Sequence, residues 1–264
     1  MSEAACHRLC QPLRAAMGNI MQHKLDYSAV WRDARVLLTA HSEAIVAVAG
    51  FFIFMAAWVT AYILPPLVFA DLNDMAGSIQ QISGYFENNW YILLPNMLVT
   101  MFGSFILYIL LAGRGIVTVG DALSTALVLF LPYLSASIIV GWASFAGFLL
   151  FLVPGLYLTG RLALLPAVLA HEPELGAMGA IRQAWHTSKG HAWSILVVLM
   201  FVALGVRVLS GIVMAIVAAI AIAVAGEGGV PVINAVVTAI FAAIEAVAYV
   251  LLTVAIHRQL ASRE

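Results

Sequence analysis

A single arginine, Arg207, interrupts the uncharged stretch between His191 and Glu227, inside the run ALGVRVLSG. One acid, Glu245, lies comparably deep in a hydrophobic run, away from span ends. In apolar surroundings such a pair has three uses. It can fix helix register as a buried ion pair, it can hold or gate an anionic ligand on a polar pathway, or the arginine alone can snorkel to the interface. Thr238, Tyr249, Thr253 and His257 add a loose polar stripe around Glu245.

Other chemistry is missing from the pattern. No GxSG, HExxH or GxxxxGK[ST] occurs, so neither an intramembrane protease nor a phosphate-binding loop is expected, and no catalytic residue is assigned. Cys6, His7 and Cys10 form CHRLC, which is neither CxxC nor CxxCH; reduced thiols are expected, with no metal and no cofactor. His41, His171, His186, His191 and His257 fall near span ends, where histidines serve as interfacial anchors more often than as ligands.

The elements that must position these groups follow from composition. Of 264 residues 64% are hydrophobic and 9% charged, with mean hydropathy +1.03. So few charges cannot cover a water-soluble domain of this size, and the chain reads as an all-α integral membrane protein. A net charge of −1 leaves no basic patch for nucleic acid. The N-terminal region mixes basic and acidic residues before its first long apolar run, so no signal peptide is expected.

About 20 apolar residues cross a bilayer. Six stretches meet that length: 44–69, 91–112, 122–142, 145–169, 193–224 and 231–256. They imply one membrane domain over 25–258, with tails 1–24 and 259–264. The third stretch is the weakest, because it starts at Asp121 and contains Pro132; the fifth is long enough to tilt, to kink at Gly205 or Gly211, or to project from the bilayer. Arg114, Arg161, Arg182, Lys189, Arg258 and Arg263 share one side with the basic N-terminal tail. The opposite loops, 71–90, 143–145 and 225–230, carry Asp71, Asp74, Glu87 and Glu227 and no lysine or arginine. Both termini are therefore expected in the cytoplasm, with 71–90 the longest outer loop and Trp90 and Tyr91 anchoring its return. In an antiparallel hairpin of spans five and six, Arg207 and Glu245 lie ~21 Å and ~17 Å from the cytoplasmic ends at ~1.5 Å per residue. An isolated charge at that depth costs about 2.5–3.5 kcal/mol on insertion scales, so pairing is expected. Ala235, Ala239 and Ala243 form a small-residue ridge suited to close helix packing.

Amphipathic stretches precede spans one, three and five. Tyr27, Val30, Trp31, Ala34 and Leu38 correspond to Val119, Ala122, Leu123, Ala126 and Phe130, and then to Ala177, Ala180, Ile181, Ala184 and Ser188. His41, Tyr133 and His191 fall in the same register. The spacing is that of a helix lying in the membrane interface. It implies one interfacial helix plus a two-span hairpin, used three times, although the middle stretch overlaps the third span. The alternative is that any helix joining a bilayer begins amphipathically.

Residues 153–193 carry Pro154, Gly155, Tyr157, Arg161, Pro166 and Glu172, followed by a helix with Ala180 and Arg182 and a tail of Thr187, Gly190 and Trp193. Pro154 is expected to kink span four and Pro166 to loosen it again. This pattern resembles the membrane domain associated with some bacterial glycerophosphodiester phosphodiesterases, and the related YciC-like inner-membrane proteins. The likeness extends over residues 25–256, on short apolar motifs. It implies a six-span protein of the bacterial inner membrane, sometimes fused to an enzyme. This sequence has no room for the phosphodiesterase barrel or its metal-binding carboxylates, so that activity does not carry over.

Together these features point to a non-enzymatic membrane protein acting as a partner-binding or lipid-interacting module in envelope maintenance. Arg32, Arg35, Arg182 and Lys189 on the interfacial helices would face anionic headgroups. Membrane lipids are the expected partners, with another membrane protein left open. The alternative is a small transporter or permease component using the region of Arg207 and Glu245. A water-accessible cavity reaching Arg207 favours transport; a tightly packed bundle favours the module.

Overall fold

The computed structural model describes residues 26–64, 75–112, 118–225 and 230–261. Among them are ten α-helices and no strand: α1 Tyr27–Ala40, α2 Ser42–Val48, α3 Met55–Ile63, α4 Met75–Leu111, α5 Val119–Leu150, α6 Leu152–Leu162, α7 Leu165–His171, α8 Gly176–Thr187, α9 Ala192–Ala225 and α10 Val230–Ala261. A π-helical segment, Ala49–Phe54, joins α2 to α3. Six segments are long and apolar enough to span a membrane: Ser42–Ile63, Gly77–Leu111, Val119–Leu150, Leu152–His171, Ala192–Ala223 and Pro231–Ala261.

The even-numbered spans form the inside of the bundle. Spans two, four and six bury 33%, 56% and 44% of their most apolar stretch, against 22%, 17% and 17% for spans one, three and five. Exposed Phe51, Val128, Leu131, Phe201 and Leu204 on the odd spans are lipid-facing positions. The densest packing lies toward one end, where 105–111, 162–165, 167–170 and 250–256 are continuously buried. That end also brings the two ends of the domain together, because Gln259 Nε2 donates to the Asp26 carbonyl at 3.4 Å. Arg258 Nη2 donates to the Leu111 carbonyl at 2.6 Å, satisfying an acceptor that the end of α4 leaves free.

The three amphipathic stretches bury corresponding residues. Val30, Ala122 and Ala180 are buried, as are Ala34, Ala126 and Ala184, and one turn later Leu37, Leu129 and Thr187. Asp26 and Thr118 are corresponding N-caps: Asp26 Oδ1 accepts from Ser28 N at 3.0 Å, and Thr118 Oγ1 from Asp121 N at 3.1 Å. α1 and α8 are separate short helices, whereas the middle stretch is the first part of α5 and continuous with its span.

Several sequence expectations change. Residues 75–90 are not an outer loop but the start of α4, which passes through Trp90, Tyr91 and Pro95. Their polarity suggested a loop, yet Asn88 and Asn89 donate their amides to the Gly84 and Tyr85 carbonyls at 2.8 Å each, which is compatible with a helix. The turn expected at 143–145 lies at Phe151, because nothing in α5 stops the helix earlier. Pro154 kinks nothing: it occupies the first turn of α6, where a missing N–H costs no bond. The break in span four falls at Ala163–Leu164, just before Pro166, whose ring cannot follow a helical Leu162 carbonyl. α9 runs through Gly205 and Gly211 without interruption. Cys6, His7, Cys10, Asp71, Asp74, Arg114, Glu227 and Arg263 lie outside the described residues.

Candidate functional site

Arg207 on α9 and Glu245 on α10 meet, with Nε 3.0 Å from Oε2. The Arg207 side chain is 74% exposed and that of Glu245 26%. Both line a cavity of about 540 Å³ that reaches all of spans two to six. Its walls are largely apolar but carry the hydroxyls of Thr100, Ser104, Tyr108, Tyr133, Ser137 and Tyr249. Volume and composition are those of a small-molecule site: an apolar cleft with a few polar groups converging on it.

The local sequence explains how the hydroxyls converge. Thr100, Ser104 and Tyr108 recur every fourth residue and so share one face of α4; Tyr133 and Ser137 do the same on α5. Phe105 and Tyr133 stack with centroids 4.3 Å apart and planes 6° from parallel, which ties spans two and three together at the floor. The Tyr108 hydroxyl is buried beside that of Thr253, which in turn donates to the Tyr249 carbonyl at 2.7 Å. These hydroxyls on α4 and α5 were not expected from the sequence, although the fourfold spacing after Asn96 was there to find.

The stripe on α10 divides by depth. Tyr249 opens into the cavity, while Thr253 and His257 are buried beneath it. His257 packs edge-to-face on His171, centroids 5.5 Å apart. Thr238 lies toward the opposite end, its hydroxyl 3.9 Å from the Met214 sulfur. It borders a second cavity of about 730 Å³ with Thr60, Tyr85, Asn96 and Asn234. The side-chain carbonyl oxygens of Asn96 and Asn234 are buried without partners. Of the alanine ridge, Ala235 and Ala239 are fully packed and Ala243 partly so.

The residues of 153–193 gather elsewhere, where span four meets α8 and span five. Arg161 is 4% exposed, and its guanidinium carbon lies 4.2 Å from the Trp185 ring centre and 5.7 Å from that of Tyr157. The Tyr157 ring also approaches Trp193, at 6.4 Å. Ser188 donates to the Arg161 carbonyl at 2.8 Å. Gly155 faces Phe148 so closely that a Cβ would fall 2.5 Å from its ring, and Gly190 turns the chain at φ +82°. Pro154 and Pro166 start helices, Arg182 is exposed, and Glu172 lies between α7 and the short 3-10 turn Pro173–Leu175. These contacts are packing and turn chemistry, and none of these residues except Pro166 borders the central cavity.

Six apolar spans make this chain a multi-pass helical membrane protein. It matches no family model, no curated protein and no solved structure. Among the described residues no group of three His, Cys, Asp or Glu side chains is placed to hold a metal ion.

Proposed function

We propose that the chain is a non-enzymatic membrane protein that binds a ligand in the central cavity and serves as a small transporter or permease component. The observation that supports this reading is the cavity itself, which is bordered by Arg207 and Glu245 and by side chains from all of spans two to six. An apolar cleft with an ion pair and a few hydroxyls on its walls offers a ligand both burial and polar anchoring. The resemblance of 153–193 to YciC-like proteins supports a bacterial inner membrane, and the basic residues beside the chain ends support cytoplasmic termini.

A second reading, a lipid- or partner-binding module in envelope maintenance, draws on Arg32, Arg35, Arg182 and Lys189. All four are exposed at the terminal end of the bundle, on or just after α1 and α8. Cysteine accessibility separates the two. With Cys6 and Cys10 replaced by serine, Ser104→Cys is expected to react in native membranes with a small charged methanethiosulfonate, whereas Ala126→Cys, fully buried, is not. Protection of Ser104→Cys equal to that of Ala126→Cys removes the open cavity and leaves the module.

A further inference from the structure

The central cavity does not end at its polar walls. An apolar groove of about 380 Å³ between spans two and three meets it at Met101, Ser137 and Gly141. Met97, Ile138, Trp142 and Phe145 along the groove are all more than half exposed, so it opens sideways onto the surface that faces lipid. Gly141 keeps the junction clear, since no atom lies within 4 Å of where its Cβ would be. A chamber holding an ion pair and several hydroxyls, with an apolar side channel, has the outline of an amphiphile: head inside, chain between the helices.

Charge selects the head. Among the described residues, Arg207 and Glu245 are the only acidic or basic side chains bordering the cavity; its other polar side chains carry hydroxyls. An anion that captured Arg207 would strand the Glu245 carboxylate at membrane depth, and a cation on Glu245 would strand the guanidinium. A head bearing both charges exchanges one ion pair for two and strands neither. The hydroxyls of Ser104 and Ser137 on the cavity wall supply donors for phosphate oxygens.

We propose that the site takes a zwitterionic amphiphile from the bilayer, with its phosphate ester on Arg207, its ammonium on Glu245 and an acyl chain in the groove between spans two and three. This rests on the reading of the cavity as a ligand site.

The test is native mass spectrometry of the full chain in detergent, titrated with phosphatidylethanolamine or with phosphatidylglycerol of the same acyl chains. Phosphatidylethanolamine is expected to be retained about tenfold more tightly, which corresponds to ~1.4 kcal/mol for the added ion pair. Arg207→Gln and Glu245→Gln should each abolish that preference. Gly141→Leu, which leaves the ion pair intact and fills open space, should weaken retention of phosphatidylethanolamine by narrowing the junction. Equal or tighter retention of phosphatidylglycerol overturns the zwitterion assignment. Retention of both lipids that ignores all three substitutions marks ordinary boundary lipid and overturns the site. Accessibility at Ser104→Cys keeps the two proposals apart: a labelled cavity without headgroup preference removes the ligand class alone, and an unlabelled one without preference removes both.

Discussion

The Arg161 guanidinium lies over the Trp185 ring, carbon to centroid 4.2 Å, and among the described residues no carboxylate pairs with it. Its Nε has no hydrogen-bond partner, and the side chain is 4% exposed. The aromatic face therefore stands in for a counter-ion and joins α8 to span four. A desolvated cation–π contact contributes ~2 kcal/mol, an exposed one about half that or less. Trp185→Ala is expected to destabilise the protein by roughly 1–2 kcal/mol, and Trp185→Phe, with a weaker ring quadrupole, by less. Thermal unfolding in detergent measures both; Trp185→Ala melting with the unsubstituted protein would show that the contact contributes nothing.

Spans four and five touch through Gly160, where an added Cβ would stand 2.6 Å from the Ala192 carbonyl oxygen and 3.1 Å from Leu196 Cβ. A backbone carbonyl cannot swing aside as a side chain can. Gly160→Ala should therefore push the spans apart and cost about 1–3 kcal/mol, the usual penalty for overpacking. Gly205→Ala is the control. Nothing lies within 4 Å of that position, so the same methyl should leave stability unchanged or slightly raised. Equal melting temperatures for the two variants would contradict the close approach.

Membrane class and span number were legible because apolar length is a strong signal, and the core registers of α1 and α8 followed from helical spacing. Helix ends were less legible. Residues 75–90 carry too many amides to look membrane-embedded, but polarity excludes only burial in lipid, not helix, and Asn88 and Asn89 bond back along α4. Prolines misled in the other direction: Pro132 sits inside a long helix, while Pro154 opens one. The ion pair could be anticipated, since each charge was unusual in its own span and matching depths left few partners. The hydroxyl walls could not be weighed the same way. Serine and threonine in an apolar helix usually bond to their own backbone, as Thr60 does to Ala56 at 3.0 Å, and only packing shows which of them face a cavity.

Asp26 begins α1 by accepting from two backbone amides and from the Ser28 hydroxyl, the latter at 2.7 Å. The Ser28 hydroxyl first, and then the Ala29 amide, hold its carboxyl below the ordinary 3.8. A depressed carboxylate stabilises the fold above its unfolded value, and that contribution fades as the pH falls through the still lower folded value. Asp26→Ser keeps an N-cap but cannot titrate. The melting temperature of the unsubstituted protein should therefore drop more than that of Asp26→Ser between pH 5 and pH 3, while Asp26→Ala should be the least stable of the three at pH 7. Parallel pH profiles for the aspartate and serine forms would count against the cap.

The strength of the coupling between Arg207 and Glu245 reports what fills the cavity. In water an exposed pair couples by ~0–1 kcal/mol, because both charges are well solvated when apart. In hydrocarbon each lone charge costs about 2.5–3.5 kcal/mol, so losing one partner leaves the other stranded. With the Arg207 side chain 74% exposed and that of Glu245 26%, an intermediate value follows: roughly 0.5–3 kcal/mol, the range seen for directly interacting residues. Arg207→Leu and Glu245→Leu should each lower the melting temperature, and the double substitution should recover most of the loss, since it strands nothing. A double variant that is stable yet still prefers phosphatidylethanolamine would leave the pair a purely structural tie. One that folds as well and retains the two lipids alike assigns the pair to the ligand, with helix register as its secondary role.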